Sequence, residues 1–145
     1  MPFKALVGAI VGQLGKRRYE LVTLAAAGAL RSTQCRLAHG VKTLKLVDEE
    51  QLIRIARDYH DAGLSEAEVA MMEFAEKVSS DSAAMTEADR LRLRDAGFSD
   101  REILDITLAA AVRNYFSRAL QALAVELDVP PVLGEQLRDA LVARL

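Results

Sequence analysis

Prolines are confined to the two ends of this chain, at positions 2, 130 and 131, so none interrupts the stretch between them. Proline breaks helices because it lacks an N–H and clashes with the preceding turn, so its absence permits long helices. The same stretch contains no run in which β-branched and polar residues alternate, which is the pattern of a half-buried strand. The sequence therefore predicts an all-α fold.

Helix starts can be predicted from side chains that cap helix ends. Three capping boxes, in which a Ser or Thr precedes an acidic residue by three positions, begin at Ser65, Thr86 and Ser99. Asp48 is suited to cap a further helix, and Pro131 to stand at or near the first position of the last one. The predicted helices cover residues 3–14, 17–31, 32–46, 49–58, 66–79, 86–97, 99–127 and a segment from 131.

The length of 145 residues fits a single domain, 1–145, that can bury a core of its own. Residues 103–127 are apolar on nearly every side of their predicted helix. A helix that is hydrophobic all round is buried. In a chain this small, complete burial of so long a helix requires a neighbouring subunit, and we therefore expect a homo-oligomer.

Charge and composition argue against several classes of partner. The formal charge is −2, from 19 Lys and Arg against 21 Asp and Glu, so no basic surface indicates nucleic-acid binding. Tryptophan is absent and aromatics make up 5%, which leaves few platforms for single-stranded bases. No uncharged run approaches the ~20 residues that span a bilayer, so we expect no membrane partner. A single cysteine excludes a disulfide framework and suits the cytoplasm.

The candidate site is a cysteine and a histidine on one predicted helix. Cys35 is the only cysteine, and His39, one of two histidines, follows it by four residues. On a helix this spacing puts both side chains on one face, about 6 Å apart at Cβ. A turn at 30–33 would fold the preceding helix back antiparallel and bring Glu20 alongside. Counting ~1.5 Å per residue from that turn gives the order thiol, imidazole, carboxylate, which is the order of a proton relay.

Each site residue also has a structural interpretation. A free cysteine such as Cys35 is often inert core packing. Glu20 could form an ion pair with Arg17 or Arg18 at an exposed helix start, although its apolar neighbours favour a buried helix, where a lone carboxylate needs a partner. Ser32 is fully explained as the N-cap of the second helix.

The remaining polar candidates do not form a metal site. His60 is expected to be exposed and structural. Glu20, Cys35 and His39 could bind zinc, but two histidines and one cysteine make a poor ligand set. We expect neither a metal nor another cofactor.

The residues of the site resemble the signature of the carboxymuconolactone decarboxylase and alkylhydroperoxidase (AhpD-like) family. That signature is a glutamate followed, twelve residues later, by the first cysteine of a Cys-x-x-Cys-x-x-x-His run. Glu20, Cys35 and His39 match the glutamate, the second cysteine and the histidine, and Ser32 stands in place of the first cysteine. The similarity covers about 16–129 and is typical of the uncharacterised peroxidase-related branch. It implies an AhpD-like helical fold, an antiparallel helix pair that carries the site, and trimers or hexamers.

The resemblance further implies a single-cysteine thiol oxidoreductase. In the related thiol peroxidases the second cysteine becomes the sulfenic acid, and the first is the proton donor and disulfide partner. Here Cys35 would attack a hydroperoxide, and His39, oriented by Glu20, would take its proton. Ser32 can form hydrogen bonds but no disulfide, so an external thiol would have to reduce the sulfenic acid.

Two other functions stay open. One is an acid–base enzyme that resembles the lactone decarboxylases, with Glu20 and His39 moving protons on a lactone-like acid and Cys35 incidental. The other is a degenerate, non-catalytic oligomeric binding protein. Activity that persists in Cys35→Ala favours the first, and a thiol that reacts only after denaturation favours the second.

Overall fold

A computed structural model describes residues 2–143, which form eight α-helices and two short 3-10 helices and contain no strand. The all-α prediction is confirmed. The helices are α1 (Pro2–Leu14), α2 (Lys16–Ala29), α3 (Thr33–Thr43), α4 (Glu49–Arg57), α5 (Glu66–Asp81), α6 (Glu87–Asp95), α7 (Asp100–Ala122) and α8 (Glu135–Val142), with 3-10 helices at Tyr59–Asp61 and Ser82–Ala84.

Side-chain caps begin α4, α5, α6 and α7 where the sequence predicts them. Asp48 Oδ1 accepts a hydrogen bond from the backbone N–H of Gln51 at 2.7 Å. Ser65 and Ser99 each form a complete capping box with the glutamate three residues later. At Thr86 the aspartate three residues later accepts the backbone N–H at 2.8 Å. These bonds satisfy amides that have no partner within the first turn of a helix.

Two helices end on left-handed residues that are not glycine. α7 ends at Ala122, and the prediction that it continues to 127 is wrong. Ala124 has φ 48°, and the N–H of Val125 returns to the carbonyl of Leu120 at 3.1 Å. This is a Schellman motif, which normally uses glycine at the left-handed position. The same motif ends α2 through Arg31, with φ 55°.

The predicted bounds of two other helices need correction. α8 begins at Glu135, with Gly134 at its N-cap. Pro131 is therefore not at its first position. The carbonyl of Pro130 accepts the N–H of Leu133 at 3.2 Å, so the two prolines belong to the connecting turn. α3 covers Thr33–Thr43 and not 32–46, because residues 44–46 leave the helix as turns.

The central helix of the fold is α2. All nine residues from 19 to 27 are buried, and α2 packs against α3, α5 and α7. Small side chains at Ala25, Ala26 and Ala27 let neighbouring backbones approach closely. α3 folds back along α2 in antiparallel orientation, which places residue 36 beside 28 and residue 39 beside 20. This helix pair positions the candidate site.

A single chain covers only one face of α7. Its buried face includes Ile103, Ile106 and Ala110. On the other side Leu104, Tyr115 and Phe116 are exposed, Tyr115 to 69%. The expectation that this helix is buried on every side is thus not met within one chain. None of the helices in the described part of the chain is both long enough and apolar enough to cross a membrane.

Candidate functional site

The thiol of Cys35 lies in the core, on the first turn of α3. The residue is 1% exposed, and its sulfur accepts two hydrogen bonds from α7. Ser117 Oγ donates at 3.1 Å, and Arg113 Nη1 donates at 3.4 Å. Both donors are buried. The sulfur is therefore held by two polar side chains of a helix distant in sequence.

Glu20 and His39 form a buried pair that joins α2 to α3. His39 Nδ1 lies 2.6 Å from Glu20 Oε2, and both side chains are almost fully covered. An ionised carboxylate can only accept, so Nδ1 carries the proton when the imidazole is neutral, and Nε2 is left as the acceptor. Glu20 does not pair with the two arginines near the start of its helix. Arg17 forms an ion pair with Glu68 instead, and Arg18 forms one with Glu102.

Burial favours the neutral imidazole at this position. Desolvation lowers the pKa of His39 from its ordinary value of 6.5, and the hydrogen bond to Glu20 opposes that effect without reversing it. The positive charge of Arg113 lowers the pKa of His39 further. A neutral histidine with an unprotonated Nε2 is the form that a general base requires.

Only one of the two contacts that the predicted relay requires, the one between His39 and Glu20, is a hydrogen bond in the structure. The imidazole and the carboxylate are in direct contact, as the spacing indicates. Within residues 2–143, however, no hydrogen bond joins the sulfur of Cys35 to His39; its two partners are Arg113 and Ser117. The guanidinium of Arg113 links the thiol and the imidazole electrostatically, because it contacts the sulfur and also acts on His39.

Ser32 occupies the N-cap position of α3 but makes no capping hydrogen bond with its side chain. That part of the prediction is wrong, and its backbone gives the reason. The caps at Asp48, Ser65 and Ser99 have extended ψ values of 160°, 157° and 163°, whereas Ser32 has ψ 87° and so lacks the extended backbone typical of a capping residue. Ser32 is buried and lines a cavity of about 350 Å³ between the start of α3 and the end of α7.

His60 is exposed, as predicted, and has no contact with this cluster. It is half exposed, and its ring nitrogens lie 2.9 Å from Asp58 and from Glu73. The hydrogen bond to Asp58 is the main reason why the pKa of His60 is raised above 6.5. Within the described residues, no group of three histidine, cysteine, aspartate or glutamate side chains is arranged to hold a metal ion.

Asn114 and Arg118, two polar residues four positions apart on α7, have structural partners. Asn114 Nδ2 donates to Ser79 Oγ and to the carbonyl of Ala110, each at 3.0 Å. Arg118 Nε donates to Asn114 Oδ1 at 3.4 Å. Neither residue forms a hydrogen bond with the sulfur or the imidazole of the site.

Arg113 and Ser117 are the site residues that sequence reasoning missed. They continue the buried stripe of α7 that runs through Ile106, Ala109 and Ala110 at helical spacing. A charged residue and a hydroxyl on a core-facing stripe are unusual, since buried charges need partners. That signal was present in the sequence, but it does not reveal which residue of another helix is the partner.

Together, the helical fold and the Glu20, Cys35 and His39 constellation define an AhpD-like protein. The chain is 30% identical to an uncharacterised peroxidase-related protein from Silicibacter sp. TM1040, over 88% of this chain and 69% of that one, with a TM-score of 0.80. It is 26% identical to an uncharacterised peroxidase-related protein with an alkylhydroperoxidase AhpD core from Ralstonia eutropha JMP134, over 97% and 73% of the two chains, with a TM-score of 0.74. No family model and no curated protein matches. The chain belongs to the AhpD-like family.

Proposed function

We propose that this chain is a single-cysteine thiol oxidoreductase that reduces hydroperoxides. The observation that carries the proposal is the buried contact of 2.6 Å between Glu20 and His39, on the same helix pair that holds the only thiol. Burying a carboxylate and an imidazole costs desolvation free energy, which apolar side chains at the same positions would avoid. A neutral imidazole fixed in this way is suited to move the proton of a nearby reacting group.

The oxidative step balances with the residues of the site. His39 takes the proton of the Cys35 thiol, and the thiolate attacks the terminal oxygen of the hydroperoxide. A sulfur–oxygen bond forms while the oxygen–oxygen bond breaks, so the sulfur loses two electrons and becomes a sulfenic acid. The alkoxide that leaves receives a proton from the His39 imidazolium and departs as an alcohol.

The reductive step needs a thiol from outside the chain. Ser32 stands where a second cysteine would form a disulfide, and the sequence contains no other cysteine. An external thiol condenses with the sulfenic acid to give a mixed disulfide and water. A second thiol then releases Cys35 and forms the external disulfide. Because such reductants are maintained in the cytoplasm, we propose a cytoplasmic location.

A second function is favoured by one specific observation. The sulfur of Cys35 makes its hydrogen bonds to α7 and not to His39. The Glu20–His39 pair could therefore serve acid–base chemistry on a lactone-like acid without the thiol. In that case Cys35 is a packing residue, in keeping with its 1% exposure.

The test is a single-turnover reaction of the reduced, folded protein with one equivalent of an organic hydroperoxide. We expect the loss of one thiol per chain, the gain of one oxygen by mass, and capture by a sulfenic-acid reagent. Cys35→Ser should consume no hydroperoxide. His60→Gln should react like the wild type, because His60 is half exposed and its partners are Asp58 and Glu73, not the thiol. A wild-type protein that keeps its free thiol would refute the proposal.

We also propose that the chain assembles as a homo-oligomer, a trimer or a hexamer. Support comes from the apolar side chains that one chain leaves exposed on and after α7, among them Tyr115 at 69% and Leu123 at 76%. Exposed apolar patches commonly mark protein interfaces. Sedimentation at micromolar concentration should give a multiple of 15.9 kDa, and Tyr115→Glu should shift the distribution towards the monomer. A wild-type monomer would contradict the proposal.

A further inference from the structure

Arg113 is a buried cation whose ion-pair partner is not a carboxylate. Its side chain is 3% exposed, and among residues 2–143 no aspartate or glutamate forms a salt bridge with it. Its Nη1 bonds the sulfur of Cys35, its Nε is buried without a partner, and its guanidinium lies 5.5 Å from the ring centre of Phe116. An isolated charge in a protein interior is strongly unfavourable unless an anion compensates it.

The sulfur of Cys35 has the contacts of an anion. Arg113 Nη1 can only donate to it, at 3.4 Å, and Ser117 Oγ lies within donating distance at 3.1 Å. A neutral thiol is a weak acceptor, whereas a thiolate accepts strongly from several donors. Donation from a guanidinium to an anion is also stronger than donation between neutral groups.

The other charged groups near the site do not compensate the charge of Arg113. The carboxylate of Glu20, from α2, is engaged by His39. Lys42, from α3, adds positive charge at His39. α8 packs on α3 with apolar side chains, among them Leu141 against Gly40. Cys35 is therefore the group in contact with Arg113 that can carry the missing negative charge.

From these contacts we infer that Arg113 is a catalytic residue that, with Ser117, holds Cys35 as a thiolate in the resting protein. The thiol proton passes through His39 to the buffer, and the thiolate and guanidinium form a buried ion pair. During turnover His39 takes up a proton again and delivers it to the leaving alkoxide. The catalytic role rests on the proposed hydroperoxide reduction, where it keeps the attacking atom ionised. The ion pair itself can be measured without turnover.

The experiment is the ultraviolet thiolate absorbance of the folded protein at neutral pH. Subtracting the spectrum of Cys35→Ser isolates the signal of the only cysteine. Arg113→Met should lower the ratio of thiolate to thiol by about tenfold or more, as expected for a hydrogen bond to a charged group. Arg113→Lys should restore part of the signal because it retains the charge.

Two further variants keep the test decisive if Arg113→Met does not fold. Ser117→Ala removes one neutral donor and should lower the ratio about fivefold. Arg118→Met removes an exposed arginine of the same helix, which bonds Asn114, and should leave the ratio unchanged. Circular dichroism establishes that each variant is folded.

The outcomes separate this inference from the proposed function. Absence of thiolate in the wild type, or a signal that Arg113→Met and Ser117→Ala leave intact, overturns the ion pair. A wild-type thiolate that depends on Arg113 but does not react with hydroperoxide leaves the ion pair standing and refutes the hydroperoxide reduction alone.

Discussion

Glu20→Gln is expected to slow the oxidation of Cys35 by hydroperoxide about 10²-fold or more, because a positioned acid–base group contributes roughly 10²–10⁴-fold. The carboxylate fixes the proton of His39 on Nδ1 through the contact of 2.6 Å. A glutamine amide can instead donate to Nδ1, which moves the proton to Nε2. That nitrogen can then no longer accept a proton and relay it to the leaving alkoxide. The measurement is the rate of thiol loss in single-turnover reactions.

Glu73→Gln is the matched control for this change. Glu73 bonds the other histidine, His60, at 2.9 Å, so the substitution also removes a carboxylate from an imidazole, but on the surface. We expect its oxidation rate to equal that of the wild type. Equal slowing in both variants, or none in Glu20→Gln, would show that the buried pair does not serve the thiol.

Nuclear magnetic resonance can follow the same two variants, because the chain has only two histidines. In the wild type the pKa of His39 should lie below 6.5 through burial, and the pKa of His60 above it through Asp58. Glu20→Gln should lower the pKa of His39 further, since it removes the interaction that opposes burial. A folded-state pKa below the unfolded value also means that neutral His39 stabilises the fold above pH 6.5. This contribution is lost as the pH falls through the folded-state value.

Local sequence signals predicted the fold well. Helix starts at Asp48, Ser65 and Ser99 follow from hydroxyl or carboxyl groups that bond amides three residues later, and such bonds need no distant partner. The contact between α2 and α3 followed from helix geometry and one turn. Glu20 and His39 are 19 residues apart, which two short helices joined tightly can bridge in only one way.

Helix ends were less predictable where the backbone enters the left-handed region without glycine. Arg31 and Ala124 both do so, and both line the cavity beside Ser32. Each costs conformational energy that tertiary packing must offset. Gln121 contributes to that packing, because its Nε2 donates to the carbonyl of Leu30 at 2.8 Å and ties the two helix ends together. No local sequence pattern predicts this hydrogen bond between residues 91 positions apart.

The partners of the sulfur could not be predicted from spacing. Arg113 and Ser117 lie 78 and 82 residues after Cys35, on a helix whose position depends on the packing of the whole core. Sequence reasoning considered His39 as the neighbour of the thiol because the two share one helix. The structure adds a guanidinium from α7, a long-range contact that spacing within one helix does not reveal.

Ser32→Cys is expected to change the product of oxidation completely. In the wild type, one equivalent of hydroperoxide should give a sulfenic acid, excess oxidant should drive it to the sulfinic acid, and a small thiol should cap it as a mixed disulfide. In Ser32→Cys the new thiol stands three residues before Cys35 at the start of α3, as in Cys-x-x-Cys redox motifs. Condensation of the two should give an internal disulfide and water before further oxidation.

Mass spectrometry distinguishes these products, and Thr33→Cys is the control that adds a thiol without the spacing. A cysteine at 33 is only two residues from Cys35, and side chains at that spacing point to different sides of a helix. It should therefore leave Cys35 as open to overoxidation as in the wild type. If hydroperoxide leaves Cys35 a free thiol in the wild type and in Ser32→Cys alike, the thiol is not the reacting group. The buried pair of Glu20 and His39 would then belong to acid–base chemistry, with Cys35 as its neighbour.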